Sequence, residues 1–198
     1  MNYLAHAYLS FDLPEILVGN MISDFVKGKK KFIYPINIQK GITLHRAIDT
    51  FTDEHPVTHE AKRLFKSAYG LYSGAFMDIV YDHFLACDAE IFDDKSLVIF
   101  CRNIYNSLND HAHIFPENFS YMFPYMKEHN WLYNYQFKWG IEKSFSGLVH
   151  RAAYMDNSEA AVRIFESNYY KLEKYYREFF PSLREHAFEQ LNLLMQAD

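Results

Sequence analysis

Residues 41–56 read GITLHRAIDTFTDEHP. Ile42, Leu44, Ala47, Ile48 and Phe51 recur at the spacing that places apolar groups on one stripe of an α-helix, with His45, Arg46, Asp49 and Asp53 interleaved. One face of such a helix packs and another carries chemistry. His45, Asp49 and Asp53 follow one another at i, i+4, so they form a ridge of groups able to hold a metal or a phosphate. Arg46 lies ~100° round the helix from His45, within reach of a phosphate held over that ridge. Taken alone, the ridge reads equally as a solvated face with an ordinary His/Asp pair. Two other segments repeat the pattern.

Outside this helix the composition is that of a globular chain. Of 198 residues, 49% are apolar and 23% charged, close to globular averages, so neither a disordered nor a membrane class is implied. Only 7 Gly and 6 Pro punctuate the sequence, so long stretches lack any breaker and an all-α fold is expected, a single-domain helical bundle over residues 1–198. The net charge of -5 argues against a nucleic-acid partner, whose proteins carry a basic footprint. Lys27, Lys29, Lys30 and Lys31 are a local exception. Cys87 and Cys101 have no metal-type spacing and read as reduced core thiols, which suits a cytoplasmic location. The start, MNYLAHAYLS, lacks a basic segment before its apolar run, and no run of ~18 apolar residues offers a membrane span.

Along the chain, residues 2–10 read as a short helix with His6 projecting, broken before Pro14 because the residue preceding a proline is pushed out of the helical region. The next helix, EILVGNMISDFV, carries Asn20 and Asp24 at i, i+4 on an otherwise apolar face. A carboxylate there has to be exposed, paired or bound to something. KGKKKFIYP then reads as a loop. In AFMDIVYDHFLACDAE (residues 75–90), Asp78, Asp82 and either Tyr81 or His83 share one face of a strongly apolar helix, where charged groups compete with packing. Asp93 and Asp94 suit a helix cap. From Phe119 to Trp139 the sequence is rich in aromatics, divided by Pro124, and reads as a packing layer or as a groove for a flexible ligand. Arg151 is a candidate second phosphate clamp. Residues 157–196 have the spacing of a long amphipathic helix, kinked or divided at Pro181.

Imidazole and carboxylate groups therefore recur on helices, while nothing matches a nucleophile elbow, a glycine-rich phosphate loop or a cysteine zinc site. Mixed nitrogen and oxygen donors suit a divalent ion such as manganese, iron or zinc. Such an ion acidifies water and offsets charge on phosphoryl oxygens, so metal-assisted phosphoester hydrolysis is the reaction class expected.

In that order and at those separations, MNYLAHAYLS, GNMISDFVKG, GITLHRAIDTFTDEHP and DIVYDHFL resemble the acyl carrier protein phosphodiesterases, with WLYNY and SGLVHRA as weaker echoes. The resemblance implies an all-helical, HD-domain-like architecture and hydrolysis of the phosphodiester that joins the 4'-phosphopantetheine arm to a carrier-protein serine. It also implies a divalent metal, typically Mn2+, with Fe2+ or Zn2+ as alternatives. Carried over, it assigns His6, Asp24, Asp82 and His83 to the metal, with His45, Arg46 and Asp49 catalytic, Arg46 on phosphate and Asp49 orienting His45. HD families carry their pair as His then Asp, whereas this chain offers Asp82 then His83, which leaves open whether His45 or His83 touches the metal. Lys27, Lys29, Lys30 and Lys31 would draw in an acidic acyl carrier protein. Two other readings remain: hydrolysis of a small nucleotide or other phosphoester, and a non-catalytic module that binds a carrier protein.

Overall fold

The computed structural model describes residues 1–152 and 157–196, apart from the side chain of Asp94; the remainder of the expected 1–198 domain lies outside the described residues. Every regular element among them is helical. α1 (Tyr3–Tyr8) and α2 (Pro14–Ile22) are joined by a turn in which Phe11 and Asp12 adopt φ of 50° and 57°. Pro14 opens α2 where its missing N–H has no helical partner to lose. Two 3-10 segments, Ser23–Phe25 and Gly28–Ile33, lead into α3 (Ile36–Glu54), which contains the stretch quoted above. Then come α4 (Pro56–Tyr69), α5 (Ser73–Ala86), α6 (Asp94–Asp110), α7 (Glu117–Glu128) and α8 (Trp131–Asn134). α9 (Lys138–Arg151), α10 (Glu159–Ser167) and α11 (Tyr169–Gln196) complete the described chain.

α2 and α3 form the tightest crossing. Gly19 and Gly41 face each other there, and a Cβ on either would overlap a carbonyl oxygen of the opposite helix, Ile38 O or Ile16 O. This approach places the end of α2 beside the middle of α3. The far side of α3 packs on α11, where the Phe51 ring stacks on His186 at 4.3 Å and on Phe179 at 6.3 Å. α4 and α5 pair through stacked Phe65 and Phe76. Ile38, Ile42, Leu44 and Ile48 of α3 are fully or almost fully buried, worth ~1.5–3 kcal/mol each, so packing rather than helix propensity holds α3 in place.

Several boundaries differ from expectation. α2 stops at Ile22, and Asp24 sits on the 3-10 segment that follows, whose closing turn has Val26 N–H donating to Ser23 O. The lysine stretch is a 3-10 segment rather than an open loop. Neither Pro124 nor Pro181 ends its helix. Around Pro181, Tyr176, Phe179, Phe180, Leu183 and Ala187 all bury on one stripe, and that burial outweighs a proline penalty of ~3 kcal/mol. The break falls instead at Asn168, whose side-chain amide donates to Ile164 O and closes α10. Asp93 caps α6 in a capping box with Ser96. Cys101 is buried, but Cys87 follows the last turn of α5 and is exposed, so only one thiol belongs to the core.

Candidate metal centre

Three buried or half-buried groups from two helices converge where α1 meets α3. One ligand atom each from His6, His45 and Asp49 lies within 4.8 Å of the other two, so the group could hold a metal ion. His45 and Asp49 face the same way because they are one helical turn apart on α3. His6 reaches them from α1, its ring stacked on that of His45 at 3.9 Å between centroids. Asp24 adds a carboxylate from the 3-10 segment after α2, with Oδ1 3.1 Å from His45 Nε2.

The hydrogen bonding around His45 fixes the proton on its ring. Nδ1 lies 2.8 Å from the Asn20 carbonyl oxygen, which can only accept, so Nδ1 carries the hydrogen. A neutral ring then has a bare Nε2, and that nitrogen faces Asp24 at 3.1 Å and Asp49 Oδ2 at 3.0 Å. A lone pair against two carboxylates requires a cation among them, either a proton on Nε2 or a metal. Burial opposes protonation, yet the hydrogen bonds to Asp24 and Asp49 push His45 up to about 9. His6 behaves differently: burial and the neighbouring His45 lower it to about 4. Its Nε2 is 3.2 Å from Asp49 Oδ1 but off the hydrogen-bond direction, so both ring nitrogens are buried without a hydrogen bond. Burial also opposes ionisation of Asp49, but the Met1 ammonium and the two histidines hold its carboxyl well below the usual range. A buried imidazole without a hydrogen bond, a second imidazole and the Asp49 carboxylate form a donor set that fits a divalent ion, with the exposed Asp24 carboxylate against His45.

The other sequence candidates are placed as follows. Asp82 is fully buried and accepts hydrogen bonds from the backbone N–H groups of Asn2, Leu4 and Ala5, at 3.3, 2.7 and 3.3 Å. It thereby caps α1 and fixes the helix that carries His6. His83 points elsewhere: Nδ1 donates to Tyr135 O at 2.7 Å and Nε2 accepts from the Tyr169 hydroxyl at 2.9 Å, so both nitrogens are occupied by partners outside the His6, His45 and Asp49 group. The structure thus brings His6 and Asp24 to His45 and Asp49, and leaves Asp82 and His83 outside the cluster. Adjacent residues on a helix point ~100° apart, which is why Asp82 meets α1 while His83 meets Tyr135 and α11. His6 is buried rather than projecting. Asp78 pairs with the Met1 ammonium at 3.1 Å, and Asp53 pairs with Lys62.

Arg46 is exposed, with one guanidinium nitrogen donating to Val26 O at 3.0 Å. Lys27, Lys29 and Lys30 are exposed and Lys31 half-buried, directly after the segment bearing Asp24. Arg151 ends α9 and lines a cleft of about 470 Å³ together with Asn2 and Tyr3. The role of the Asn20 backbone was not legible in advance, because a carbonyl leaves no trace in the sequence.

The family model described as acyl carrier protein phosphodiesterase matches residues 1–183. Proteins named acyl carrier protein phosphodiesterase in Photorhabdus laumondii and Yersinia pestis are 28% and 29% identical to this chain over 188 residues. The aligned region covers 94% of this chain and 95% and 97% of those relatives. The protein of that name from Salmonella agona is 28% identical with the same coverage as the Yersinia pestis protein. No solved structure matches. No described helix is long and apolar enough to cross a membrane.

Proposed function

Because the chain belongs to the acyl carrier protein phosphodiesterase family, we propose that it hydrolyses the phosphodiester between the 4'-phosphopantetheine arm and a serine of holo-acyl carrier protein. Water adds to phosphorus, the bond from phosphorus to the serine oxygen breaks, and the serine oxygen leaves with a proton. The products are apo-carrier protein and 4'-phosphopantetheine. We read residues 1–198 as one domain working in the cytoplasm.

The observation that carries this reading is the Nε2 of His45, aimed by the Asn20 carbonyl at Asp24 and Asp49, with the His6 ring beside it lacking any hydrogen bond. His6, His45, Asp49 and Asp24 would hold a divalent ion, with manganese favoured by the sequence resemblance. When bound, that ion supplies Lewis acidity toward the phosphoryl oxygens and a more acidic water. The chain's own residues do the rest. Asn20 orients His45, Asp82 sets α1 so that His6 reaches the cluster, and Arg46 and Arg151 supply positive charge for the phosphodiester. Lys27, Lys29, Lys30 and Lys31 steer an acidic carrier protein toward Asp24.

The test is mass spectrometry of holo-acyl carrier protein incubated with the purified protein and manganese, beside Asp24→Ala and His45→Ala. Loss of the arm's mass with the unmodified protein, and its slowing by at least ~100-fold in both variants, is the expected result. A folded, manganese-loaded protein that leaves the carrier protein intact would move the reading to a small phosphoester.

A further inference from the structure

α9 contains a glycine that its backbone does not need. Gly147 lies inside Lys138–Arg151, where glycine weakens a helix relative to alanine. No other backbone approaches it, and the nearest atom a Cβ would meet is the tip of Arg151 at 3.4 Å. Gly140 of the same helix is different, since a Cβ there would overlap the Asn134 carbonyl. Space at Gly147 therefore serves the cleft that this helix face lines.

That cleft, of about 470 Å³, falls within the ~300–1,000 Å³ typical of sites for small organic ligands. Trp139, Gly140, Lys143, Ser144, Gly147 and Arg151 line it from one stripe of α9. Opposite them stand Trp131 and Tyr135, and Asn2 and Tyr3 close the end toward α1. Trp131 and Trp139 are the two tryptophans of the chain. Lys143 sits 5.0 Å over the Trp139 ring, and Arg151 forms no ion pair with a described residue. Tyr3 lines the cleft from α1, the helix that also carries His6, so the wall it forms connects the cleft to the metal-type cluster.

These features describe a ligand with an anionic head at Arg151 and a long chain of alternating apolar and amide groups. From residue 139 to residue 151 the helix runs ~18 Å. A pantetheine chain extended from its phosphate oxygen to its sulfur measures ~15 Å on standard bond lengths. We propose that this face of α9 is the binding subsite for the 4'-phosphopantetheine arm. Arg151 meets the phosphate, Gly147 leaves room for the chain, the oxygens of Asn134 and Ser144 accept from its amides while their donors are engaged by His129 O and Gly140 O, and Trp131 and Trp139 flank its sulfur end. The assignment rests on the functional reading given above and adds to it the part of the protein that recognises the substrate's prosthetic arm.

The experiment titrates free 4'-phosphopantetheine into the manganese-loaded protein, followed by tryptophan fluorescence and calorimetry. The unmodified protein should show saturable binding with a change in tryptophan emission. Gly147→Leu, which fills the cleft, and Trp139→Ala, which opens its wall, should each weaken binding at least 10-fold. Gly147→Ala, melting no lower than the unmodified protein, serves as the folding control for position 147. Metal content and circular dichroism report whether Gly147→Leu is folded. If that variant does not fold, Trp139→Ala decides alone. No binding by the unmodified protein, or equal binding by the folded variants, overturns the subsite. Hydrolysis of holo-carrier protein by the unmodified protein is scored separately, and its absence overturns the functional reading even where the arm binds.

Discussion

Asp82 and His83 are neighbours in sequence with unlike surroundings, and single substitutions separate their roles. Asp82 is buried and raised to about 7, chiefly by loss of solvent, with the three N–H groups of α1 offsetting part of that shift. Asp82→Ala would leave those donors unpaired and is expected to cost about 3 kcal/mol or more, read as a lower melting temperature of the metal-free protein. An unchanged melting temperature together with lost metal binding would instead make Asp82 a ligand. His83 exchanges hydrogen bonds with Tyr135 and Tyr169, and burial lowers its proton affinity. His83→Ala should destabilise the fold yet keep stoichiometric manganese, measured by elemental analysis. His6→Ala, which removes a buried donor from the cluster itself, should do the reverse, lowering manganese content at modest cost to stability.

At the scale of elements, the site depends on one helix crossing. Asn20 and Asp24 belong to α2 and its 3-10 extension, whereas His45 and Asp49 belong to α3, and at Gly19 and Gly41 the two backbones come close beside the place where the Asn20 carbonyl holds His45. A methyl group at Gly41 has no flexible neighbour to displace, since it would strike the Ile16 carbonyl. Gly41→Ala should therefore destabilise by about 1–3 kcal/mol and weaken manganese binding by prising α2 from α3, monitored by melting and by metal titration. A variant with lower stability but undiminished metal affinity would show that the crossing supports the fold without shaping the site. Helical type and much of the capping followed from local signals such as Pro14, Asp93 and the sparse glycines. Helix ends did not, because burial around Pro181 and the Asn168 side chain outweighed local propensity.

Across the whole molecule, charge is distributed unevenly. The chain carries -5 overall, yet four lysines cluster within residues 27–31, beside exposed Phe32 and Ile33. Replacing all four with glutamine should raise KM for holo-carrier protein about 10-fold at low salt, with the difference shrinking as salt screens the attraction. Unchanged turnover at low salt would reject that surface as the docking face. A metal held by His6, His45 and Asp49 would also bear on global stability, since it would tie α1 and α3 together. A ligand that binds only the folded state stabilises it by about 2.7 kcal/mol at a hundredfold excess over Kd, so a chelator should lower the melting temperature of the unmodified protein and leave that of His45→Ala unmoved.

The amino-acid sequence by itself determined the all-helical class, the helix carrying His45 and Asp49, the nitrogen-and-oxygen chemistry and the family resemblance. Each of these is written in local spacing or in ordered motifs along the chain. Tertiary structure alone decided which groups meet. A period of 3.6 residues says which side chains share a face of their own helix and nothing about the helix opposite. His6 therefore reads as a lone histidine until α1 packs on α3, and Asp82 and His83 read as a ligand pair until one is seen holding the start of α1 and the other bonded to Tyr135 and Tyr169. The cleft along α9 was hidden for the same reason, because Trp131, Arg151 and Asn2 become neighbours only when the helices pack.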